Sequence, residues 1–220
     1  MQAMIAAVLA AALSLAPSAG AAPWPDGYVQ RLQALARLQA LNAELLSHDS
    51  ATAVLQSFCD RHGPRPGVKI AAKVQAGPPK PASVEQRKAL GASPTTRLRY
   101  RRVALTCGDL VLSRADNWYR PDRLTRRMNE LLEQTDTPFG RVVADLGYHR
   151  RTLAVQLLTD PLPPGWEDQP PQANATPFTP PAEILQHSAV LLDAHGRPFS
   201  LVVETYTDGL LLMTPPEPAT

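Results

Sequence analysis

Proline placement is the feature that most constrains how this 220-residue chain can fold. Proline lacks a backbone N–H and has a fixed φ, so helix interiors and central strands exclude it. The chain has 23 prolines, twice the usual share of about 5%. Eight of them lie in residues 161–181, and most others lie in residues 64–94 or near the two ends. These segments are therefore largely loops, and most regular structure is expected in the stretches that contain few prolines.

Hydrophobic periodicity predicts helices in the proline-poor stretches. Leucines recur every three or four residues from Leu32 to Leu45, which is typical of an amphipathic helix. Asp49 or Ser50 can cap the N-terminus of a second helix, and Gly63 ends it. The predicted helices cover residues 27–47, 50–62 and 123–133, with one further helical turn near 83–89.

Alternation of apolar and polar residues predicts strands, which occur mostly in hairpin pairs. Gly108-Asp109 forms one predicted turn, and residues 193–196 form another. Strands paired through hairpins, with helices grouped in blocks, indicate an α+β fold in which helices pack on an antiparallel sheet. The predicted strands are residues 68–75, 98–107, 110–119, 141–145, 152–158, 184–192 and 199–207.

The N-terminus predicts export. Residues 3–16 are apolar except for one serine, and small residues follow at positions 18–22. This pattern is typical of a signal peptide, and the apolar run is too short to span a hydrocarbon core of about 30 Å. We expect a signal peptide at residues 1–22, a single domain at 23–214 and a disordered tail at 215–220. The mature protein is expected in the periplasm, without membrane insertion.

Cysteine, histidine and charge limit the chemistry that we expect. Cys59 and Cys107 form a disulfide in an exported protein, or else they are two separate buried thiols. The two cysteines and five scattered histidines are not spaced as metal ligands usually are. We therefore expect no metal or cofactor. The net charge of +2 gives no argument for nucleic-acid binding.

Two charged residues interrupt apolar strands. Arg101 shares a strand face with Val103 and Leu105. If this face packs against the core, the guanidinium of Arg101 is buried. Burial is costly unless an anion is present, and the planar guanidinium suits a carboxylate. Glu204 lies among apolar residues in the last strand. The alternatives are that Arg101 reaches solvent at the strand end, or that Arg101 and Glu204 pair with each other.

Four motifs, taken in order, resemble those of the chorismate–pyruvate lyase family, whose fold also occurs in ligand-sensing domains of some transcription regulators. The resemblance covers residues 27–213. The motifs are the helix start Asp49-Ser50-Ala51-Thr52 after Leu45-Leu46, the strand Arg101-Arg102-Val103-Ala104-Leu105, the loop Thr137-Pro138-Phe139-Gly140, and the final hairpin with Gly196-Arg197-Pro198 and Val203-Glu204-Thr205-Tyr206.

The resemblance implies a chorismate lyase-like fold and a site for a small aromatic carboxylate. Arg101 would hold the carboxylate of chorismate or of its product 4-hydroxybenzoate, together with the backbone amide of Phe139. Gly140 would let backbone approach the ligand closely, and Glu204 would bind the ring hydroxyl. The family's reaction eliminates pyruvate from chorismate and needs no cofactor.

This chain departs from the family pattern in ways that define two hypotheses. Phe139 replaces a leucine, residues 161–181 are an insertion, and export would separate the protein from cytoplasmic chorismate. The first hypothesis is a monomeric lyase that acts on chorismate or a related small aromatic carboxylate. The alternative is an exported, non-catalytic module that binds such a ligand. The sequence leaves open whether the 161–181 loop covers the pocket.

Overall fold

The computed structural model describes residues 27–171 and 176–212. The predicted signal peptide and the predicted tail lie outside these residues. In the two described ranges, no helix is both long and apolar enough to cross a membrane. The described helices are α1 (Tyr28–Ser47), α2 (Ala51–His62), α3 (Val84–Ala89), α4 (Arg126–Gln134), α5 (Phe139–Val142) and α6 (Gly209–Leu212).

The strands form one antiparallel sheet of six, which confirms the α+β prediction. They are β1 (Ile70–Val74), β2 (Arg99–Cys107), β3 (Leu110–Tyr119), β4 (His149–Leu157), β5 (Glu183–Leu192) and β6 (Pro198–Thr207). Their order across the sheet is β1-β2-β3-β6-β5-β4. The first three strands and the last three strands thus form two blocks, which meet where β3 pairs with β6.

Helices α1 and α2 pack on one face of the sheet. Alternate residues of the strands, such as Leu105, Ala115 and Tyr206, point towards them and form the largest core cluster with Leu38 and Leu55. Trp118 and Leu201 point to the other face, where they pack with Leu90 just after α3. Successive strand residues therefore point to opposite faces of the sheet, and both faces are buried.

The strand predicted at residues 141–145 is wrong. Residues 139–142 form α5, and a 3-10 turn follows at Ala144–Leu146. Val142 and Val143 are adjacent and both buried in one cluster, whereas successive strand residues point to opposite faces. Gly147, with φ 55°, then ends the turn in the left-handed region. The helix predicted from residue 123 also begins later, because Thr125 caps it at Arg126.

Cys59 and Cys107 form a disulfide, which decides between the two alternatives for these residues. The bond joins the last part of α2 to the end of β2, with Cα atoms 5.9 Å apart. Both residues are almost completely buried. The bond therefore fixes α2 to the sheet on the face that carries the pocket described below.

The proline-rich loop between β4 and β5 is held on α1. The Arg31 guanidinium donates to the carbonyl oxygens of Pro161 (2.8 Å) and Thr176 (3.1 Å). The Gln30 amide exchanges two hydrogen bonds with the backbone of Phe178, at 2.8 and 3.3 Å. None of the described residues of this loop lines the pocket described below.

Candidate functional site

A narrow pocket lies between the sheet, the first turn of α2 and helix α5, and all four residues predicted for the site line it. These are Arg101, Phe139, Gly140 and Glu204. The cavity volume is about 50 Å³, which holds on the order of four water-sized groups. A wider groove of about 490 Å³ lies beside it and shares Thr52, Gly140 and Tyr148 with it. The pocket is thus small and adjoins a wider groove.

The floor of the pocket is a row of short side chains across the middle of the sheet. Val103, Ala115 and Glu204 lie directly opposite one another on β2, β3 and β6. The methyl group of Ala115 leaves space between its two larger neighbours. Arg101 lies one inward-facing position along β2, and two strand spacings put β2 and β6 roughly 10 Å apart. The strands that carry Arg101 and Glu204 therefore lie on opposite sides of Ala115.

Arg101 is a buried cation, with 7% of its surface exposed. Its Nη1 and Nη2 donate to the backbone oxygens of Thr137 (3.3 Å) and Thr135 (3.2 Å), and its Nε is buried without a partner. No carboxylate of the described residues forms an ion pair with it. Burial lowers the pKa of Arg101, while Tyr119 and Asp136 oppose this effect; arginine nonetheless stays charged at neutral pH.

The segment bonded to Arg101 at residues 135–137 leads directly into Phe139 and Gly140, which also line the pocket. Pro138 is extended, and α5 begins at Phe139. The backbone N–H groups of Phe139 and Gly140 donate to no acceptor among the described residues. A Cβ on Gly140 would lie 3.0 Å from the Tyr148 hydroxyl and 3.2 Å from Thr52 Oγ1. Glycine therefore permits the close approach of α2, α5 and Tyr148 at this point.

Glu204 pairs with Arg150 rather than with Arg101, so those two predicted residues are not partners. Arg150 Nη2 donates to Glu204 Oε2 at 2.6 Å, and both side chains are almost inaccessible to water. The Tyr206 hydroxyl donates to the same oxygen at 3.2 Å. Glu204 Oε1 accepts no hydrogen bond from the described residues and belongs to a side chain that lines the pocket. It is available as an acceptor for a ligand.

Burial and the Arg150–Glu204 pair together shift the pKa values around this site. Burial alone would lower the pKa of Arg150, but the Glu204 carboxylate raises it above its ordinary value. Burial and Glu204 raise the pKa of Tyr206 well above 10, so its hydroxyl keeps the proton that it donates. His187 lies opposite Glu204 on β5, and burial followed by Arg150 lowers its pKa. The imidazole is therefore neutral at pH 7, and its Nε2 lies 2.9 Å from Asn42 Oδ1.

Sequence reasoning missed Arg150. The strand that carries it was predicted to begin at residue 152, whereas β4 begins at His149. An irregularity in the register between Thr152 and Ala154 breaks the alternation that would have aligned Arg150 with the inward-facing positions. The backbone N–H of Arg150 also donates to Asp49 Oδ1 at 2.6 Å. The residue is therefore fixed by tertiary contacts that the sequence pattern does not show.

The described part of the chain contains no group of three or more His, Cys, Asp or Glu residues that could hold a metal ion. Arg102, the neighbour of Arg101, lies on the other side of β2. Its Nε donates to Asp116 Oδ1 at 2.8 Å. The two arginines thus differ in surroundings, and Arg101 is the one at the pocket.

Comparisons with known proteins give one close relative and several distant structures. No family model matches the chain. The chain is 13% identical to PhnF from Mycobacterium smegmatis, with a TM-score of 0.45, over 74% of this chain and 65% of that one. It is thus similar to less than two thirds of PhnF. It is 16% identical to the ligand-binding domain of a GntR-family transcriptional regulator from Bordetella bronchiseptica, with a TM-score of 0.41, over 66% of this chain and 87% of that one.

The uncharacterized protein y4mC of Sinorhizobium fredii is 48% identical over 191 residues. The match covers 86% of this chain and 81% of that protein. An identity of this size over most of both chains shows common family membership. The chain therefore belongs to the same family as the uncharacterized protein y4mC of Sinorhizobium fredii.

Proposed function

We propose that the pocket binds a small aromatic carboxylate, with the carboxylate at Arg101 and a ring substituent at Glu204. The observation that carries this proposal is the buried guanidinium of Arg101, which lines the pocket without a carboxylate partner among the described residues. Taking a cation out of water is costly, and a carboxylate offers both the charge and the geometry to offset that cost.

The lining of the pocket supports an aromatic ligand of one ring. Val103, Ala115 and Val202 line it between Arg101 and Glu204, and apolar side chains favour the faces of a flat ring. The free N–H groups of Phe139 and Gly140 add donors for the carboxylate. Glu204 Oε1 is an acceptor for a ring hydroxyl. A carboxylate and a hydroxyl at opposite ends of one ring match this arrangement.

The reaction that we propose for this site is the elimination of pyruvate from chorismate, which gives 4-hydroxybenzoate. The bond from the ring to the enolpyruvyl oxygen breaks, the ring carbon that bears the hydroxyl loses a proton, and the ring becomes aromatic. The released enolpyruvate takes up a proton at its methylene carbon and becomes pyruvate. Because aromatisation drives the step, the protein has to orient the substrate and exclude competing water. Arg101 and the backbone amides would hold the ring carboxylate, and Glu204 would fix the ring hydroxyl.

A second candidate function is binding without catalysis. The carboxylate that points into the pocket is held in an ion pair with Arg150, and Asp49 Oδ1 accepts from the backbone of Arg150. Both acids are thus engaged, which favours recognition over proton transfer.

We also propose that the protein is exported, which the apolar leader and the disulfide support. Mass measurement of the chain recovered from the periplasm would show the loss of residues 1–22.

One experiment tests both candidates. The purified protein is incubated with chorismate while pyruvate release is followed, and 4-hydroxybenzoate binding is measured by calorimetry. Arg101→Met should weaken binding at least tenfold, because the carboxylate loses its charged partner. Arg102→Met is the matched control and should bind as the wild type does. Binding without pyruvate release would favour the non-catalytic binding module. The absence of both binding and pyruvate release would contradict the proposal.

A further inference from the structure

We infer that Asn117 is a specificity-determining residue, which donates a hydrogen bond to an oxygen substituent on the side of the ligand's ring. The inference rests on the proposed function, because it takes the ring to extend from Arg101 to Glu204. Asn117 lies near the end of β3 and lines the pocket together with those two residues.

The register of the sheet places Asn117 beside the ring. Asn117 and Ala115 are successive residues on the inward face of β3. Asn117 lies directly opposite Arg101 on β2, and Ala115 lies directly opposite Glu204 on β6. A ring that extends from Arg101 to Glu204 therefore crosses β3 between its two inward-facing residues. One edge of that ring faces the Asn117 amide, and the other faces the Ala115 methyl group.

Ser200 fixes the orientation of the Asn117 amide. The Ser200 hydroxyl donates to Asn117 Oδ1 at 2.7 Å. Exposed fractions of 0% for Ser200 and 4% for Asn117 show that protein encloses this bond. Ser200 pairs with Tyr119, on the side of Asn117 away from Ala115. Because Oδ1 and Nδ2 lie on opposite sides of the amide carbon, Nδ2 is directed back towards the Ala115 side, where the ring is expected.

The Nδ2 atom of Asn117 has donor capacity that the described residues do not use. A side-chain amide nitrogen carries two N–H donors, and this one donates to no acceptor within residues 27–171 and 176–212. Unlike Arg101 Nε, it is not completely covered by the described residues. A buried donor that meets an apolar group is costly. A ligand with an acceptor at this ring edge is therefore favoured over one with a bare edge.

A hydroxyl at ring position 2 or 3, counted from the carbon that bears the carboxylate, supplies this acceptor. Position 2 is next to the carboxylate, and position 3 is next to the 4-hydroxyl. A hydroxyl at either position donates its own proton to that neighbouring oxygen, so its lone pairs can accept from Nδ2. A methyl group has nearly the same size but offers no acceptor. The ligand class is thus a 4-hydroxybenzoate with a further oxygen on one ring edge.

Calorimetry with five ligands tests this role: 4-hydroxybenzoate, its 2-hydroxy and 3-hydroxy derivatives, and the two matching methyl derivatives. In the wild type, one of the hydroxy derivatives should bind about fivefold more tightly than 4-hydroxybenzoate, as one net hydrogen bond provides. Its methyl counterpart should bind less tightly than 4-hydroxybenzoate, because it covers the amide donors without accepting from them.

The double variant Asn117→Leu, Ser200→Ala removes both partners of the buried bond, which limits the loss of stability. It should lose the preference for the hydroxyl and bind 4-hydroxybenzoate as the wild type does. Ser200→Ala alone keeps the amide but frees it to turn, so the preference should fall without vanishing. A purely structural role would weaken all five ligands alike and leave their ratios unchanged.

The outcomes separate this inference from the proposed function. Wild-type affinities for both hydroxy derivatives no higher than that for 4-hydroxybenzoate would overturn the role of Asn117 and leave carboxylate binding at Arg101 intact. Retention of the preference in the double variant, or equal weakening of all five ligands there, would also overturn it. Failure of all five ligands to bind to the wild type would contradict the proposed function itself.

Discussion

The ion pair between Arg150 and Glu204 makes each residue dependent on the other for stability. Arg150→Met should lower the free energy of unfolding by roughly 3–5 kcal/mol, because it leaves a buried carboxylate without its cation. The double variant with Glu204→Gln should be less destabilised than that single variant. Denaturant unfolding of the two single variants and the double variant forms a cycle that measures the coupling. Additive losses would contradict the pairing.

His187 predicts how stability depends on pH. Its folded-state pKa is below its ordinary value of 6.5, because burial and then Arg150 disfavour the charged imidazole. As the pH falls below about 6.5, His187 takes up a proton in the unfolded chain but not in the folded chain. The free energy of unfolding should therefore decrease below about pH 6.5 and stay level with respect to His187 above it.

His187→Gln should flatten this decrease, as measured by denaturant unfolding at a series of pH values. His62→Gln is the comparison variant, because burial followed by Arg37 and Arg61 also lowers the pKa of His62. Each variant should remove part of the slope, and the two together should remove more. A His187→Gln slope equal to that of the wild type would show that the imidazole is already charged in the folded protein.

At the scale of elements, the disulfide is the strongest single constraint on α2. The bond closes a loop of 48 residues between Cys59 and Cys107, which corresponds to about 4 kcal/mol in the loop-entropy treatment. The double variant Cys59→Ala, Cys107→Ala should lose a large part of this in denaturant unfolding. Reducing agent should bring the wild type down to the same stability and should leave the variant unchanged. Equal stability of the variant and the oxidised wild type would contradict the prediction.

The proline-rich loop depends on a few side chains of α1. Arg31→Ala removes three hydrogen bonds to that loop and should speed proteolytic cleavage within residues 161–178 severalfold. Arg126→Ala is the matched control, because that arginine is 93% exposed and pairs only with Glu130 in its own helix. Mass spectrometry of the early fragments locates the cuts. Unchanged cleavage in Arg31→Ala would show that the hydrogen bonds of Arg31 are not what holds the loop.

The sequence predicts most elements because burial in this fold follows simple periods. The hairpin of β2 and β3 agrees with its prediction to within one residue, since alternation and the turn at Gly108 act over a short range. The error at residues 141–145 arises because tertiary packing buries adjacent valines. Arg101, Phe139, Gly140 and Glu204 were identified as a set through resemblance to known motifs. Alternation alone marked Arg101 as an inward charge, but it could not reveal that Arg150 is the partner of Glu204.

At the scale of the whole molecule, the pocket lies across the two strand blocks. Arg101 belongs to the block of β1 to β3, whereas Arg150 and Glu204 belong to the block of β4 to β6. A ligand that contacts both ends would bridge the pairing of β3 with β6. Saturating 4-hydroxybenzoate should therefore slow hydrogen exchange of the amides near Ala115 and Glu204, which face each other across that pairing. Unchanged exchange in these strands, measured by mass spectrometry, would contradict a ligand that spans them.

Because the sheet consists of two blocks, the protein can be divided into two fragments that each keep one block. Each block consists of strands that follow one another in sequence, and the connection between Tyr119 and His149 joins them. Two fragments cut within that connection would each carry a contiguous half of the sheet and an incomplete pocket. Association of the two fragments would rebuild the pocket. A small ligand that contacts both halves should therefore strengthen their association.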